Sequence, residues 1–162
     1  MTKSRLIVDG YNVVMTSPQF SSLRSRSLEL ARNALVNLLS AKAHLYDIVV
    51  VFDAWESGTS SESAERVRGV RVIYTRRGER ADEVIERLVG VASGKTIVVS
   101  ADGAVRRCAE SAGCEAALPS ALFRASERRE VDDDEGEEGF RRDKKGPAKR
   151  PKRSKRRREW HF

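Results

Sequence analysis

A chain of 162 residues is long enough for one domain with its own core and too short for two large ones. Its 31 Lys and Arg residues against 24 Asp and Glu give a formal net charge of +7. No run approaches the roughly 20 apolar residues that a membrane helix needs, and only a few apolar residues precede Asp9, so neither a membrane protein nor a signal peptide is expected.

The charge is unevenly distributed along the chain. Residues 1–126 carry 17 Lys and Arg against 14 Asp and Glu, whereas residues 127–162 carry 14 against 10. The second part has an acidic run, 132–139, followed by a basic run, 141–158, and few apolar residues. Such a composition cannot bury enough surface to offset the entropy of ordering. We therefore predict a folded domain over 1–126 and a disordered charged tail over 127–162.

Strand and helix patterns alternate through the first part of the chain. An apolar strand at residues 5–9 is followed by a turn signal at Gly10, and helical spacing of apolar residues predicts one long helix over 28–45. The remaining predicted elements are strands at 47–53, 70–75, 96–102 and 114–118, and helices from 81, from 104 and from 119. This alternation predicts a three-layer α/β/α sandwich with a mainly parallel sheet, and we expect the strand order 3-2-1-4-5.

Three aspartates follow strands of this sheet. Asp9, Asp53 and Asp102 each lie at or just past a strand end, and Asp82 lies in the first turn of a helix. Because the carboxyl ends of parallel strands meet at one edge, we expect the three to converge, with Asp82 completing the cluster. A single aspartate after a strand is often only a turn residue or a helix cap, but four are harder to explain in that way.

Clustered carboxylates repel one another, so such a cluster generally needs a cation to stay ionised. Oxygen ligands suit Mg²⁺ or Mn²⁺ better than zinc, for which His and Cys are expected. With divalent ions bound, the site could activate water and stabilise charge on a phosphodiester. The sequence therefore predicts metal-dependent phosphodiester hydrolysis.

Several residues near the aspartates have two possible roles. After the turn at Gly10, the amide of Asn12 could orient Asp9 or a scissile phosphate, or could merely cap the turn. Tyr11 could stack on a base or pack, and Ser100 could contact a phosphate or metal-bound water, or be a buried strand hydroxyl. Glu86 is better explained as a solvated surface residue than as a ligand.

Three arginines, Arg76, Arg77 and Arg80, precede Asp82 and are expected on the same rim as the carboxylates. Guanidinium groups suit phosphate oxygens, so these arginines are candidates for binding the phosphate groups of a substrate backbone. A solvated loop with no ligand is the alternative.

The stretches LIVDGYNVV, VVVFDAW, GVRVIYTRRGERADEVIERL and IVVSADGAVRR, in this order, resemble the YacP-like NYN domain proteins of the PIN-like nuclease group. The resemblance covers residues 5 to about 125. It implies a PIN-like fold and Mg²⁺- or Mn²⁺-dependent endoribonuclease activity, with mRNA at the ribosome among the substrates of the family. It also implies metal-binding roles for Asp9, Asp53, Asp82 and Asp102, accompanied by the amide of Asn12.

Two functions are favoured at this point over a third, a phosphate-transfer or receiver-like α/β domain, because the first strand ends in DGYN rather than in a DxD pattern and no Gly-rich phosphate loop is present. The first is a cytoplasmic metal-dependent endoribonuclease. The second is an RNA- or ribosome-binding factor without catalysis, for which the 12 Lys and Arg of residues 141–158, against one acidic residue, would supply affinity. A hydrolase with a Ser or Cys nucleophile is poorly supported, because His44 lies in a predicted helix and His161 in the tail.

Overall fold

The structure is a computed structural model that describes residues 2–54 and 58–124. The chain divides into two compact units, residues 1–120 and 121–162, and the second contributes only residues 121–124 to the described part. The predicted tail over 127–162, and the predicted domain boundary at 126, lie outside the described residues, so both stay predictions.

A six-stranded sheet forms the centre of the first unit. Its strands are β1 (Ser4–Asp9), β2 (Tyr46–Phe52), β3 (Ser63–Val67), β4 (Val70–Tyr74), β5 (Thr96–Val99) and β6 (Glu115–Ala117). They lie in the order β3-β4-β2-β1-β5-β6, and all neighbours are parallel except β3, which pairs with β4 in antiparallel orientation. The order predicted for the five parallel strands is confirmed, since it corresponds to β4-β2-β1-β5-β6.

The described helices connect these strands. They are α1 (Gly10–Thr16), α2 (Ser21–Arg26), α3 (Leu28–Ser40), α4 (Ala81–Gly90) and α5 (Gly103–Ser111), with short 3₁₀ helices at Pro18–Phe20 and Pro119–Leu122. None of the helices within 2–54 and 58–124 is long and apolar enough to cross a membrane.

The core of the first unit is built on both faces of the sheet. On one face, Ile7, Val49 and Ile73 pack with apolar residues of α4 and α5, including Val84 and Val105. The alternate residues of β1 and β2 are also fully buried, because successive side chains of a strand point to opposite faces. This burial explains why β1 and β2 have continuous apolar sequences and confirms the predicted mixed α/β fold.

Several differences from the predicted elements concern local structure; among them, β5 ends at Val99 rather than at 102, and α2 was not predicted. Helix α3 ends at Ser40 rather than at 45, and a helix rather than a turn begins at Gly10. Strand β3 was not predicted, because its side chains are mostly exposed and charged and show no apolar alternation. A tight turn joins it to β4, with positive φ at both Arg68 (48°) and Gly69 (83°), as in the two-residue turns that favour glycine.

Candidate active site

Asp9 is the last residue of the central strand β1, and its side chain is buried with 8% exposure. The hydroxyl of Ser100 donates a hydrogen bond of 3.0 Å to Oδ2 of Asp9. Burial raises the pKa of Asp9 to about 6; the Ser100 hydrogen bond opposes that change, and the charges of Asp102, Asp82 and Asp53 add to it. The carboxylates of Asp53, Asp82 and Asp102 therefore lie near enough to Asp9 for their charges to act on it.

The close approach of β2 to the end of β1 explains Gly10. A Cβ at this position would lie 2.5 Å from Cε1 of Phe52 and 2.9 Å from the carbonyl oxygen of Val51. Helix α1 can therefore follow Asp9 directly only because residue 10 has no side chain. Gly10 was predicted as a turn residue, and that prediction was wrong: the glycine is needed for packing at the start of a helix.

The other three aspartates each use one carboxylate oxygen in a backbone contact. Oδ2 of Asp53 accepts from the amide of Ala81 at 3.4 Å, and Oδ1 of Asp82 accepts from the following amide at 3.0 Å. Oδ1 of Asp102 accepts from the amide of Ala104 at 2.8 Å, which makes Asp102 the N-cap of α5. The helix-cap alternative considered for strand-end aspartates therefore applies to Asp102.

The chemistry of these residues fits a hard divalent cation. The donors are carboxylate oxygens, and the charges that raise the pKa of the buried Asp9 all belong to other carboxylates, which a bound cation would offset. Within residues 2–54 and 58–124, however, no group of three or more acidic, His or Cys side chains is assembled closely enough to hold a metal ion. The aspartates share an edge without forming a preassembled ligand cluster.

Asn12 contacts a loop that the sequence did not connect with it. Its Oδ1 accepts a hydrogen bond of 2.7 Å from the amide of Ala101, between β5 and α5. The turn-capping role considered for Asn12 was wrong, since the residue lies in the first turn of α1 and its amide oxygen accepts from the neighbouring strand connection. Its role in orienting Asp9 or a scissile phosphate stays a prediction.

Ser100 is fully buried. In addition to donating to Asp9, its hydroxyl accepts a hydrogen bond of 3.1 Å from the amide of Asp102. The contact with RNA that was predicted for Ser100 is therefore not available in this structure. The hydroxyl instead links the carboxylate of Asp9 to the loop that carries Asp102.

The predicted arginines lie on the loop between β4 and α4, at the carboxyl edge of the sheet. Arg76, Arg77 and Arg80 are all exposed. Arg76 forms an ion pair of 3.5 Å with Glu79, Nε of Arg77 donates to the carbonyl oxygen of Gly58 at 3.1 Å, and Arg80 lies at the N-cap of α4. Their placement on the rim agrees with the prediction, whereas their binding of RNA stays a prediction.

Tyr11 packs within the protein. Its ring lies 4.9 Å from the ring of Phe52, and its hydroxyl accepts a hydrogen bond of 3.4 Å from Arg32. The guanidinium carbon of Arg32 also lies over the ring of Tyr74, 5.4 Å from the ring centroid, in a cation–π contact. The packing role considered for Tyr11 is the one that the structure shows. Glu86 is exposed, as predicted.

Two residues of the site region were missed by the sequence analysis. Glu79 is only 7% exposed and accepts a hydrogen bond of 2.8 Å from Arg87, although its arginine-rich surroundings suggest a solvated loop. Arg106 donates to the carbonyl oxygens of Ser100 and Ala101 at 3.0 and 2.8 Å. Nothing in the sequence signals either contact, because both depend on where a loop and a helix meet in space.

Comparisons with known proteins agree with this fold. The sequence profile of the YacP-like NYN domain family matches residues 6–161. The Bacillus subtilis protein YacP, described as uncharacterized, is 38% identical over 86 residues, which are 51% of this chain and 49% of that protein. The match thus spans about half of the relative's length.

Solved structures support the same relationship. A mutant form of Rae1 (YacP) from Bacillus subtilis superposes with a TM-score of 0.66 at 28% identity, covering 80% of this chain and 78% of the other. A second crystal structure of the same protein has a TM-score of 0.58 at 24% identity, with 80% of each chain covered, and supports the fold alone. The chain therefore belongs to the YacP-like NYN domain family.

Proposed function

We propose that this protein is a metal-dependent endoribonuclease of the cytoplasm that hydrolyses RNA phosphodiester bonds, with mRNA at the ribosome as its substrate. The observation that carries the proposal is the position of Asp9, a buried carboxylate at the end of the central strand whose pKa is raised further by three other aspartates. Clustered carboxylates of this kind are typical of active sites that bind a divalent cation and a phosphodiester.

In this proposal, Asp9 and Asp82 hold a Mg²⁺ or Mn²⁺ ion, and Asp53 and Asp102 support them. A Mg²⁺ or Mn²⁺ ion held there would supply the activation of a water and would offset negative charge on the phosphodiester. The hydrogen bond from Ser100 favours the ionised form of Asp9, which is the form that binds a cation. Arg76, Arg77 and Arg80, on the same edge, hold phosphate oxygens of the RNA backbone.

The test is incubation of the purified protein with structured and unstructured RNA in Mn²⁺, Mg²⁺ or EDTA. We expect cleavage with either metal and none in EDTA. Asp9→Asn and Asp82→Asn should each lower the cleavage rate by about 100-fold or more, because each removes a charge that the ion requires. Glu86→Gln, an exposed position one turn beyond Asp82, is the matched control and should cleave normally.

Unchanged cleavage by Asp82→Asn would contradict the assignment of this residue to the metal. Cleavage that persists in EDTA would contradict the metal dependence, and it would leave only the coarser nuclease assignment.

An RNA- or ribosome-binding factor without catalysis is the second candidate, and the basic run at 141–158 favours it. Lys and Arg side chains at this density bind phosphate backbones, and the affinity falls steeply as the salt concentration rises. Removal of residues 127–162 should then weaken RNA binding and flatten its salt dependence. Equal binding by the full and shortened chains at every salt concentration would show that this segment is not the anchor.

A further inference from the structure

The connection between β5 and α5, residues 100–102, carries both Ser100 and Asp102 and is held on several sides. The amide of Ser100 donates to the carbonyl oxygen of Ala117 at 3.1 Å, and the amide of Ala101 donates to the side chain of Asn12 at 2.7 Å. These bonds engage amides of the connection. Its carbonyl oxygens at positions 100 and 101 are engaged by Arg106.

Arg106 reaches back from the second turn of α5 to these two carbonyl groups. A single atom, Nη1, donates to Ser100 at 3.0 Å and to Ala101 at 2.8 Å. Hydrogen bonds from a charged donor are stronger than those between neutral groups. The contacts therefore restrain the backbone at the two residues that precede Asp102.

Helix electrostatics do not explain this position of the guanidinium group. The N-terminus of a helix carries a partial positive charge, so a cation directed towards it is unfavourable. Arg106 nevertheless points its side chain towards that end, where the carbonyl oxygens of the connection accept its protons. Its orientation is accounted for by the contacts with residues 100 and 101.

We propose that Arg106 is a positioning residue for RNA cleavage: by holding residues 100–102, it keeps the hydroxyl of Ser100 on Asp9 and keeps Asp102 at the carboxylate edge. This inference rests on the proposed nuclease function. Arg106 acts through the connection and not by touching the substrate, in contrast to the exposed arginines before α4.

The test compares Arg106→Gln with Arg107→Gln in the full chain. Both variants remove one positive charge from α5, but the Arg107 side chain is exposed and makes no hydrogen bond or ion pair with the described residues. Three measurements are made: amide hydrogen exchange of Ala101 and Asp102 in metal-free protein, kcat and KM for RNA cleavage, and the salt dependence of RNA binding.

For Arg106→Gln we expect amide exchange at Ala101 to be about tenfold faster than in Arg107→Gln, because the connection opens more often. We also expect kcat to fall by about tenfold or more at a nearly unchanged KM, since small displacements of reactive groups lower rates strongly. The salt dependence of binding should be the same in the two variants.

Exchange at Ala101 within twofold of the control would overturn the proposal. So would a loss confined to KM and accompanied by a flatter salt dependence, which would show that Arg106 binds phosphate directly. If Arg106→Gln does not fold, Arg106→Lys is used; it keeps the charge, and its kcat and exchange rate should lie between those of the unaltered protein and the values expected for the glutamine variant.

The two proposals fail in different ways. Absence of cleavage by the unaltered protein would contradict the nuclease function and, with it, the positioning role of Arg106 in cleavage. The hydrogen-exchange comparison would still decide whether Arg106 holds the connection.

Discussion

The hydroxyl of Ser100 donates to the buried carboxylate of Asp9 at 3.0 Å, although the two residues are 91 positions apart in the chain. The same hydroxyl accepts from the amide of Asp102 at 3.1 Å. One small side chain thus connects the end of β1 to the start of α5, and the site depends on a contact between strands that are neighbours only in the folded sheet.

Replacement of Ser100 by alanine should lower the free energy of unfolding and raise the pKa of Asp9. The variant leaves the buried Asp9 without this donor, and we expect the free energy of unfolding to fall by about 1–3 kcal/mol. The pKa of Asp9 should rise further, because the lost hydrogen bond favours the ionised form. Urea unfolding and an NMR titration of Asp9 measure the two effects.

The control for this variant is Ser111→Ala, which removes an exposed hydroxyl that donates to a backbone carbonyl of its own helix. It should change the free energy of unfolding by less than about 0.5 kcal/mol. An equal effect of the two variants would contradict the role assigned to the Ser100–Asp9 contact.

The raised pKa of Asp9 makes stability depend on pH in the metal-free protein. Because the pKa is about 6 in the folded state and 3.8 is its ordinary value, the folded protein holds this proton more tightly than the unfolded chain. The contribution of Asp9 to stability is therefore present below pH 3.8 and is lost as the pH rises through 6.

In EDTA at pH 7, Asp9→Asn should consequently be more stable than the unaltered protein, by on the order of 1–3 kcal/mol. The difference should shrink towards zero near pH 4, where the aspartate is largely protonated in the folded state. Thermal unfolding followed by circular dichroism at several pH values checks the sign. The prediction is contradicted if the stability of Asp9→Asn, measured relative to the unaltered protein, is lower at pH 7 than at pH 4.

Gly10→Ala should strongly destabilise the protein. The added Cβ would lie 2.5 Å from a ring atom of Phe52, which is fully buried, and 2.9 Å from the backbone carbonyl oxygen of Val51. Overpacking of this kind costs about 1–3 kcal/mol, measured by urea unfolding. The matched control is Gly90→Ala, at the end of α4, where a Cβ would meet nothing within 4 Å and where stability should change little.

Glu79→Gln should lower the free energy of unfolding, because it removes the charge that pairs with two arginines around the loop before α4. The charge of Glu79 faces Arg87 at 2.8 Å and Arg76 at 3.5 Å, and both arginine side chains are more than half exposed, at 53% and 59%. Solvent weakens such pairs, so we expect a loss of about 1–2 kcal/mol rather than the larger cost of breaking a fully buried pair. Equal unfolding free energies for this variant and the exposed control Glu86→Gln would contradict the prediction.

The sequence by itself determined the layout of the parallel sheet. Continuous apolar runs at β1 and β2 and the helical spacing of α4 follow from burial alone, and burial is recorded locally in the residue pattern. The aspartates at strand ends were visible for the same reason, because the carboxyl ends of parallel strands share an edge in any such fold.

Tertiary structure decided which groups contact Asp9 and the connection that carries Asp102. The hydrogen bonds of Asn12 with Ala101, of Arg106 with two carbonyl groups and of Ser100 with Asp9 form only in the folded protein. Each joins residues that lie on different elements of the fold. The requirement for glycine at position 10 likewise comes from Phe52, on a different strand. Polar contacts and close approaches of this kind depend on positions in space, and neither periodicity nor spacing along the chain encodes them.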